Sequence, residues 1–134
     1  MTTKMAVATM VTVAVLGMGT AVAAADEPKV TPLMARDLVG TPGKEGTMIT
    51  VEYPPGWSSA AHRHDAHTFV YVLEGSVVMA VRGGKEVTLG PGQTFYESPD
   101  DVHSVARNAS PTRPAKFLVF MVKDKDKPST TPVK

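Results

Sequence analysis

Cysteine is missing from this 134-residue chain altogether. That excludes a disulfide framework, a thiolate nucleophile, a zinc finger and an iron–sulfur cluster. An excess of one charge is missing too, with 14 Lys+Arg against 13 Asp+Glu. A nucleic-acid or membrane-surface binder needs a basic surplus gathered on one face, so neither partner is expected. Aromatic residues are sparse at 6%, with a single Trp. No repeat recurs at a period of 20–50 residues, which argues against solenoids and propellers. Beyond the first 25 residues no stretch keeps a helical period. What remains is 43% apolar and 20% charged, a globular composition at a length that suits one domain.

The long apolar run lies at the start. Residues 1–25 carry one charged side chain, Lys4, then an apolar stretch from Met5 to about Met18. They end in small residues, Ala21-Val22-Ala23-Ala24-Ala25. A charged start, a short apolar middle and an Ala-x-Ala-like end make a secretory signal peptide. Cleavage after Ala23 or after Ala25 meets the small-residue rule. The competing reading is an uncleaved anchor, since Met5 to Ala25 approaches the ~20 residues that span a bilayer. The Ala-, Thr- and Gly-rich make-up favours cleavage. Loss of Lys4 with the leader leaves the mature chain formally neutral. The expectation is an exported protein, periplasmic or secreted, not held at a membrane after cleavage.

Turn residues then divide the chain at short intervals: Thr41-Pro42-Gly43, Pro54-Pro55-Gly56, Glu74-Gly75, Gly83-Gly84, Gly90-Pro91-Gly92, Ser98-Pro99-Asp100 and Asn108 to Pro114. Between them lie β-branched and aromatic segments of strand length. Strands are predicted over Gly46–Tyr53, His67–Leu73, Val77–Arg82, Lys85–Leu89, Gln93–Glu97, Val102–Arg107 and Lys116–Val122. Many short strands at such spacing predict an all-β sandwich or barrel and exclude parallel α/β architecture. The domain is placed at residues 26–122. Asp26–Lys29 is a polar lead-in, and Lys123–Lys134 (KDKDKPSTTPVK) is expected to be a disordered, solvated tail.

All four histidines fall between positions 62 and 103: His62, His64, His67 and His103. His62 and His64 are two apart, so on extended backbone both side chains point to one face. Inside a small barrel that face looks inward, and a buried imidazole needs a partner: a metal, water or a carboxylate. Neutral imidazole is a ligand for Fe, Mn, Ni, Cu and Zn ions alike.

The neighbours of these histidines form a longer pattern. Gly56 lies six residues before His62, and Glu74-Gly75 closes the strand after it, giving GWSSAAHRHDAHTFVYVLEG. This resembles the first motif of the cupin superfamily, a Gly, five residues, then HxH, a Glu and a later Gly. Gly92 to Asn108, through Pro99 and His103, is similar to the second motif. The resemblance implies a small jelly-roll β-barrel and carries His62, His64 and His103 over as ligands of one divalent metal ion. It departs at Thr68, which stands where the family has a metal-binding Glu. Ser98 replaces a Pro, Asp100 replaces a Gly, and Asn108 comes one residue late. The missing ligand must then be water, substrate or another residue. His67 is one candidate, although strand alternation turns it away from the face of Thr68.

Other side chains carry two readings each. Glu97 can orient a ligand His or act as a base if it reaches the cavity; a solvent-facing strand end is the reading the sequence favours. Trp57 is a candidate lid, and Met79 and Met121 are core residues or soft copper ligands. Phe69, Tyr71, Phe95 and Tyr96 are expected in the core or at a barrel interface. Arg63 and Glu74 are read as surface and turn residues. The functional expectation is a metal-dependent oxidoreductase (dioxygenase-like) or isomerase for a small polar organic molecule. The alternative is a non-enzymatic module that binds a metal or small ligand. A homodimer paired through edge strands is expected.

Overall fold

The alternation of apolar and polar residues becomes ten strands in the computed structural model, which describes residues 26–134; the expected signal peptide over residues 1–25 lies outside the described residues. The strands are β1 (Lys29–Asp37), β2 (Lys44–Tyr53), β3 (His62–Arg63), β4 (Ala66–Glu74), β5 (Val77–Val81), β6 (Val87–Leu89), β7 (Thr94–Glu97), β8 (His103–Asn108), β9 (Ala115–Asp124) and β10 (Thr131–Pro132). They form two five-stranded sheets, ordered β1-β2-β9-β4-β7 and β10-β3-β8-β5-β6, with every pairing antiparallel. This is the all-β architecture that the spacing of turns predicts, in the jelly-roll-like form that the cupin resemblance implies.

Period-two alternation sets the inner face. On β4 the residues Ala66, Thr68, Val70 and Val72 are buried, while His67, Phe69, Tyr71 and Leu73 face outward. β9 alternates the same way and buries Phe117, Val119 and Met121. These side chains meet Val51, Val77 and Met79 to make the core. Burying an aliphatic or aromatic side chain of this size stabilises a fold by roughly 1.5–3 kcal/mol, and no cross-link is available to replace it.

The loops are tied by side chains as well as by backbone. Asn108 is buried at the end of β8, where its Nδ2 donates to the carbonyls of Tyr53, Pro54 and Arg113 at 3.2, 3.0 and 2.7 Å. Its Oδ1 accepts the N–H of Ser110 at 2.9 Å. Gly75, at φ +70°, makes the β4–β5 turn where a Cβ would lie 2.5 Å from the Pro114 carbonyl oxygen. No other residue fits there.

Two segments differ from the sequence expectation. β1 is a full strand, but it lies at a sheet edge with both faces largely in solvent, and Val30, Leu33 and Met34 are more than half exposed. A strand with no buried face shows no alternation to read. The C-terminal segment is not a free tail. β9 runs to Asp124, and Thr131–Pro132 pair as β10 against His62–Arg63. Its charge run is neutralised where it begins. The buried Lys123 ammonium sits 2.8 Å from Glu45 and donates to the carbonyls of Asp124 and Lys127.

Candidate metal centre

β3, β8 and the turn after β3 bring three histidines together. His62 and His103 are direct partners across β3 and β8. His64 follows one residue beyond β3, and the chain then turns at Asp65, whose φ of 49° is left-handed, a region that Asp tolerates better than most residues. Thr131 donates from its Oγ1 to the Asp65 carboxylate at 3.1 Å and pins this turn. The ring centroids lie 4.9 Å (His62–His64), 5.0 Å (His62–His103) and 6.0 Å (His64–His103) apart. One ligand nitrogen from each ring falls within 4.8 Å of the others.

The rings are fixed by what their other nitrogens touch. His62 Nδ1 lies 2.9 Å from the Ala60 carbonyl and 3.2 Å from Ser59 Oγ. His64 Nδ1 lies 2.7 Å from the Ser129 carbonyl in the segment before β10. A carbonyl only accepts, so both Nδ1 atoms carry the proton and both Nε2 atoms present lone pairs. Burial, reinforced by the charges of His62 and His64, pulls His103 down to about 3. Burial also lowers His64, against the opposing pull of the Ser129 carbonyl. His64 and His103 are therefore neutral at ordinary pH, the form that binds metals.

Glu97 ends β7 inside the barrel, 2% exposed. Its Oε1 is 3.0 Å from His103 Nδ1, and its Oε2 is 3.5 Å from His64 Nε2. Burial, with help from the charge of Asp101, pushes the carboxyl up to about 7. The solvent-facing placement expected from the sequence is thus corrected. Glu97 shares the face of Phe95, two residues back, and that parity was the signal pointing inward. Among the described residues, Glu97 Oε2, Thr68 Oγ1 and both His103 nitrogens are buried at the barrel cavity without a hydrogen-bond partner, and Thr47 Oγ1 is another such atom outside its lining. Each such atom costs roughly 1–3 kcal/mol if left alone. Three clustered imidazoles with a buried carboxylate in contact with two of them fit a divalent ion, and the donor set of nitrogen and oxygen suits Fe, Mn, Ni, Cu and Zn.

His67 is not part of this group. Alternation on β4 places it on the outer face, where its ring packs with Tyr96 and its Nδ1 lies 2.8 Å from the Tyr96 hydroxyl. Phe69, Tyr71 and Tyr96 are also outside and nearly half exposed rather than in the core. Phe95 lies face to face with His103, ring centroids 6.0 Å apart. Trp57 leans on Tyr53, centroids 4.3 Å apart, and forms a cavity wall. Met79 and Met121 are fully buried at the same cavity. The cavity holds about 430 Å³, and away from the histidines its walls are apolar, with Ile49, Val51, Val70, Phe117 and Val119.

A protein-family model described as the cupin domain matches residues 49–121, from within β2 to within β9. The chain belongs to the cupin family. Solved structures with the same fold include an oxalate oxidase in complex with glycolate, 23% identical over 79% of this cupin and 55% of that chain, at a TM-score of 0.59. A DMSP lyase of Ruegeria pomeroyi is 22% identical, with a TM-score of 0.57, over 66% of this cupin and 43% of that chain. A protein of Thermus thermophilus is 26% identical over 72% of this cupin and 84% of that chain, with a TM-score of 0.56. This cupin spans less than half the length of the DMSP lyases it resembles. No curated protein matches its sequence.

Proposed function

We propose that this cupin is an exported metal-dependent enzyme that oxidises or isomerises a small organic molecule at His62, His64 and His103. One observation carries the reading: two free imidazole nitrogens and the unpartnered ring of His103 converge at the polar end of an otherwise apolar cavity. A bound divalent ion would supply Lewis-acid polarisation of an oxygen on the substrate. The chain supplies the rest. Ala60 and Ser129 hold two rings in their orientations through backbone carbonyls. Ile49, Val51, Phe117 and Val119 exclude water and pack against the body of the substrate. The substrate class is a small molecule with an oxygen-bearing head and an apolar body, less polar than the sequence suggests. Oxalate oxidase and DMSP lyase run different chemistry on this fold, so the fold by itself does not choose the reaction.

Thr68, where the family motif carries a Glu, favours a second reading in which the site binds a metal or ligand without catalysis. Elemental analysis and a substrate panel separate the two. The enzyme reading expects one equivalent of metal and oxygen consumption or isomer formation with one panel member. Metal binding with no turnover across flavonols, oxalate and sugar acids supports the second reading. Export and a homodimer built on open sheet edges such as β1 complete the proposal. Mass measurement of protein recovered from outside the cytoplasm, and sedimentation of that protein, test them.

A further inference from the structure

We infer that Glu97 is the fourth protein ligand of this centre, delivered from β7 across from Thr68. The inference rests on the three-histidine reading and adds a residue that the motif does not assign. Thr68 and Glu97 are direct partners in the β4–β7 ladder, and both are buried. A threonine side chain is two bonds shorter than a glutamate and ends in a neutral hydroxyl. The carboxylate comes from the opposite strand instead.

Contact geometry favours ligation over an orienting role. A carboxylate that orients a histidine takes an in-line hydrogen bond from the ring N–H. Here Oε1 lies 3.0 Å from His103 Nδ1, yet that nitrogen has no aligned hydrogen-bond partner among the described residues. Oε2 has none either, and it lies 3.5 Å from the free Nε2 of His64. Ligand atoms held ~2.0–2.2 Å from one ion stand roughly 3.0 Å apart at a right angle and roughly 3.4 Å apart at a tetrahedral angle. Both observed contacts have that spacing. Within 4.0 Å the carboxylate touches His64 and His103, so it enters on their side of the site. The end of β7 is fixed for the purpose, because Ser98 donates its backbone N–H to the Asp101 carboxylate at 2.7 Å immediately after Glu97. One carboxylate with three neutral imidazoles would leave a divalent site with a single positive charge and room for an anionic head group.

The experiment titrates Co(II) into the purified full chain, into Glu97→Gln and into the exchange variant Thr68→Glu/Glu97→Thr. Calorimetry reads affinity, and the visible cobalt spectrum reads the ligand set. Glu97→Gln is expected to lose about 100-fold in affinity or more, beyond the ~10–100-fold typical of outer-shell groups, with an altered spectrum. The exchange variant returns a carboxylate from the opposed position and recovers most of the affinity and the wild-type band shape. A Glu97→Gln protein with the wild-type cobalt spectrum overturns the ligand assignment, whatever its affinity. So does an exchange variant that binds as weakly as Glu97→Gln while its circular dichroism is native. If Glu97→Gln does not fold, Glu97→Asp takes its place, with a changed spectrum expected and an unchanged one counting against the assignment. Absence of binding by the wild-type chain would instead remove the three-histidine reading itself.

Discussion

Thr68 and Glu97 face each other directly across β4 and β7, 1% and 2% exposed, each with a side-chain oxygen that no hydrogen bond satisfies. A core pair of this kind is a liability for the metal-free fold and an asset once an ion is bound. The same carboxylate should therefore pull stability and affinity in opposite directions.

The first prediction concerns stability against pH without metal. Burial raises Glu97 from 4.5 to about 7. Within that window the folded chain keeps a proton the unfolded chain has lost, so the contribution is present below 4.5 and gone above 7. His103 runs the other way. It is lowered from 6.5 to about 3, so its contribution is present above 6.5 and is lost as pH falls through 3. The metal-free protein is expected to be most stable between these two falling arms. Glu97→Gln removes the alkaline arm and stabilises the metal-free chain at about pH 8 by roughly 3 kcal/mol. Urea unfolding after chelation checks the sign, and a destabilised variant at that pH contradicts it.

A second prediction separates the histidines. His62→Ala and His103→Ala are expected to abolish stoichiometric metal binding and the metal-induced rise in Tm. That rise corresponds to about 2.7 kcal/mol at a free metal concentration 100 times Kd. His67→Ala, on the outer face beside Tyr96, is expected to keep full binding, with stability changed by no more than about 0.5 kcal/mol. Thermal scans with and without metal read all three. Loss of metal from the His67 variant would place the site elsewhere.

Much of this was legible from local pattern, and the two missed strands share one cause. β2 and β4 to β9 follow from alternation between turn residues, because each has one face in the core. The shared face of His62 and His64 was readable from spacing, as the HxH pair needs only extended backbone, while His103 joined them through the resemblance to the second cupin motif. β1 and β10 depend on neighbours distant in sequence, whereas the inward turn of Glu97 follows a local parity with Phe95 that the solvent-facing reading passed over. β1 is held by ladder bonds to β2 with almost nothing buried. β10 exists because Arg63 and His62 offer an open strand edge 68 and 70 positions before their partners Thr131 and Pro132. The charged composition of that segment describes its solubility and says nothing about the edge it meets.

Asn108 carries the third prediction. Its two Nδ2 hydrogens serve the carbonyls of Tyr53, Pro54 and Arg113, and its Oδ1 serves the N–H of Ser110. Asn108→Ala strands these groups in a buried place and is expected to cost about 3 kcal/mol. Tm should fall by roughly 10–20 °C, with metal stoichiometry of the folded fraction unchanged. A shift of only a degree or two would show that water replaces the amide without penalty.

The last prediction is that the C-terminal segment tunes the metal centre without being needed for the fold. Ser129 accepts the Nδ1 proton of His64, and β10 supplies the outer partner of β3. Ser129 and Thr130 also line the cavity. Deleting Pro128–Lys134 keeps the Lys127 carbonyl that Lys123 uses, so the end of β9 stays in place. His64 loses the acceptor that fixes its tautomer and ring orientation, and Asp65 loses the hydroxyl of Thr131. Removal of an outer partner of a ligand histidine costs roughly 10–100-fold in metal affinity. The core cluster lies entirely before residue 122, so metal-free Tm should move by no more than about 4 °C, the equivalent of roughly 1 kcal/mol. Calorimetric titration of the truncated chain reads the first effect, and a chelated thermal scan reads the second. Wild-type affinity after truncation would show that the Ser129 carbonyl does not set the orientation of His64.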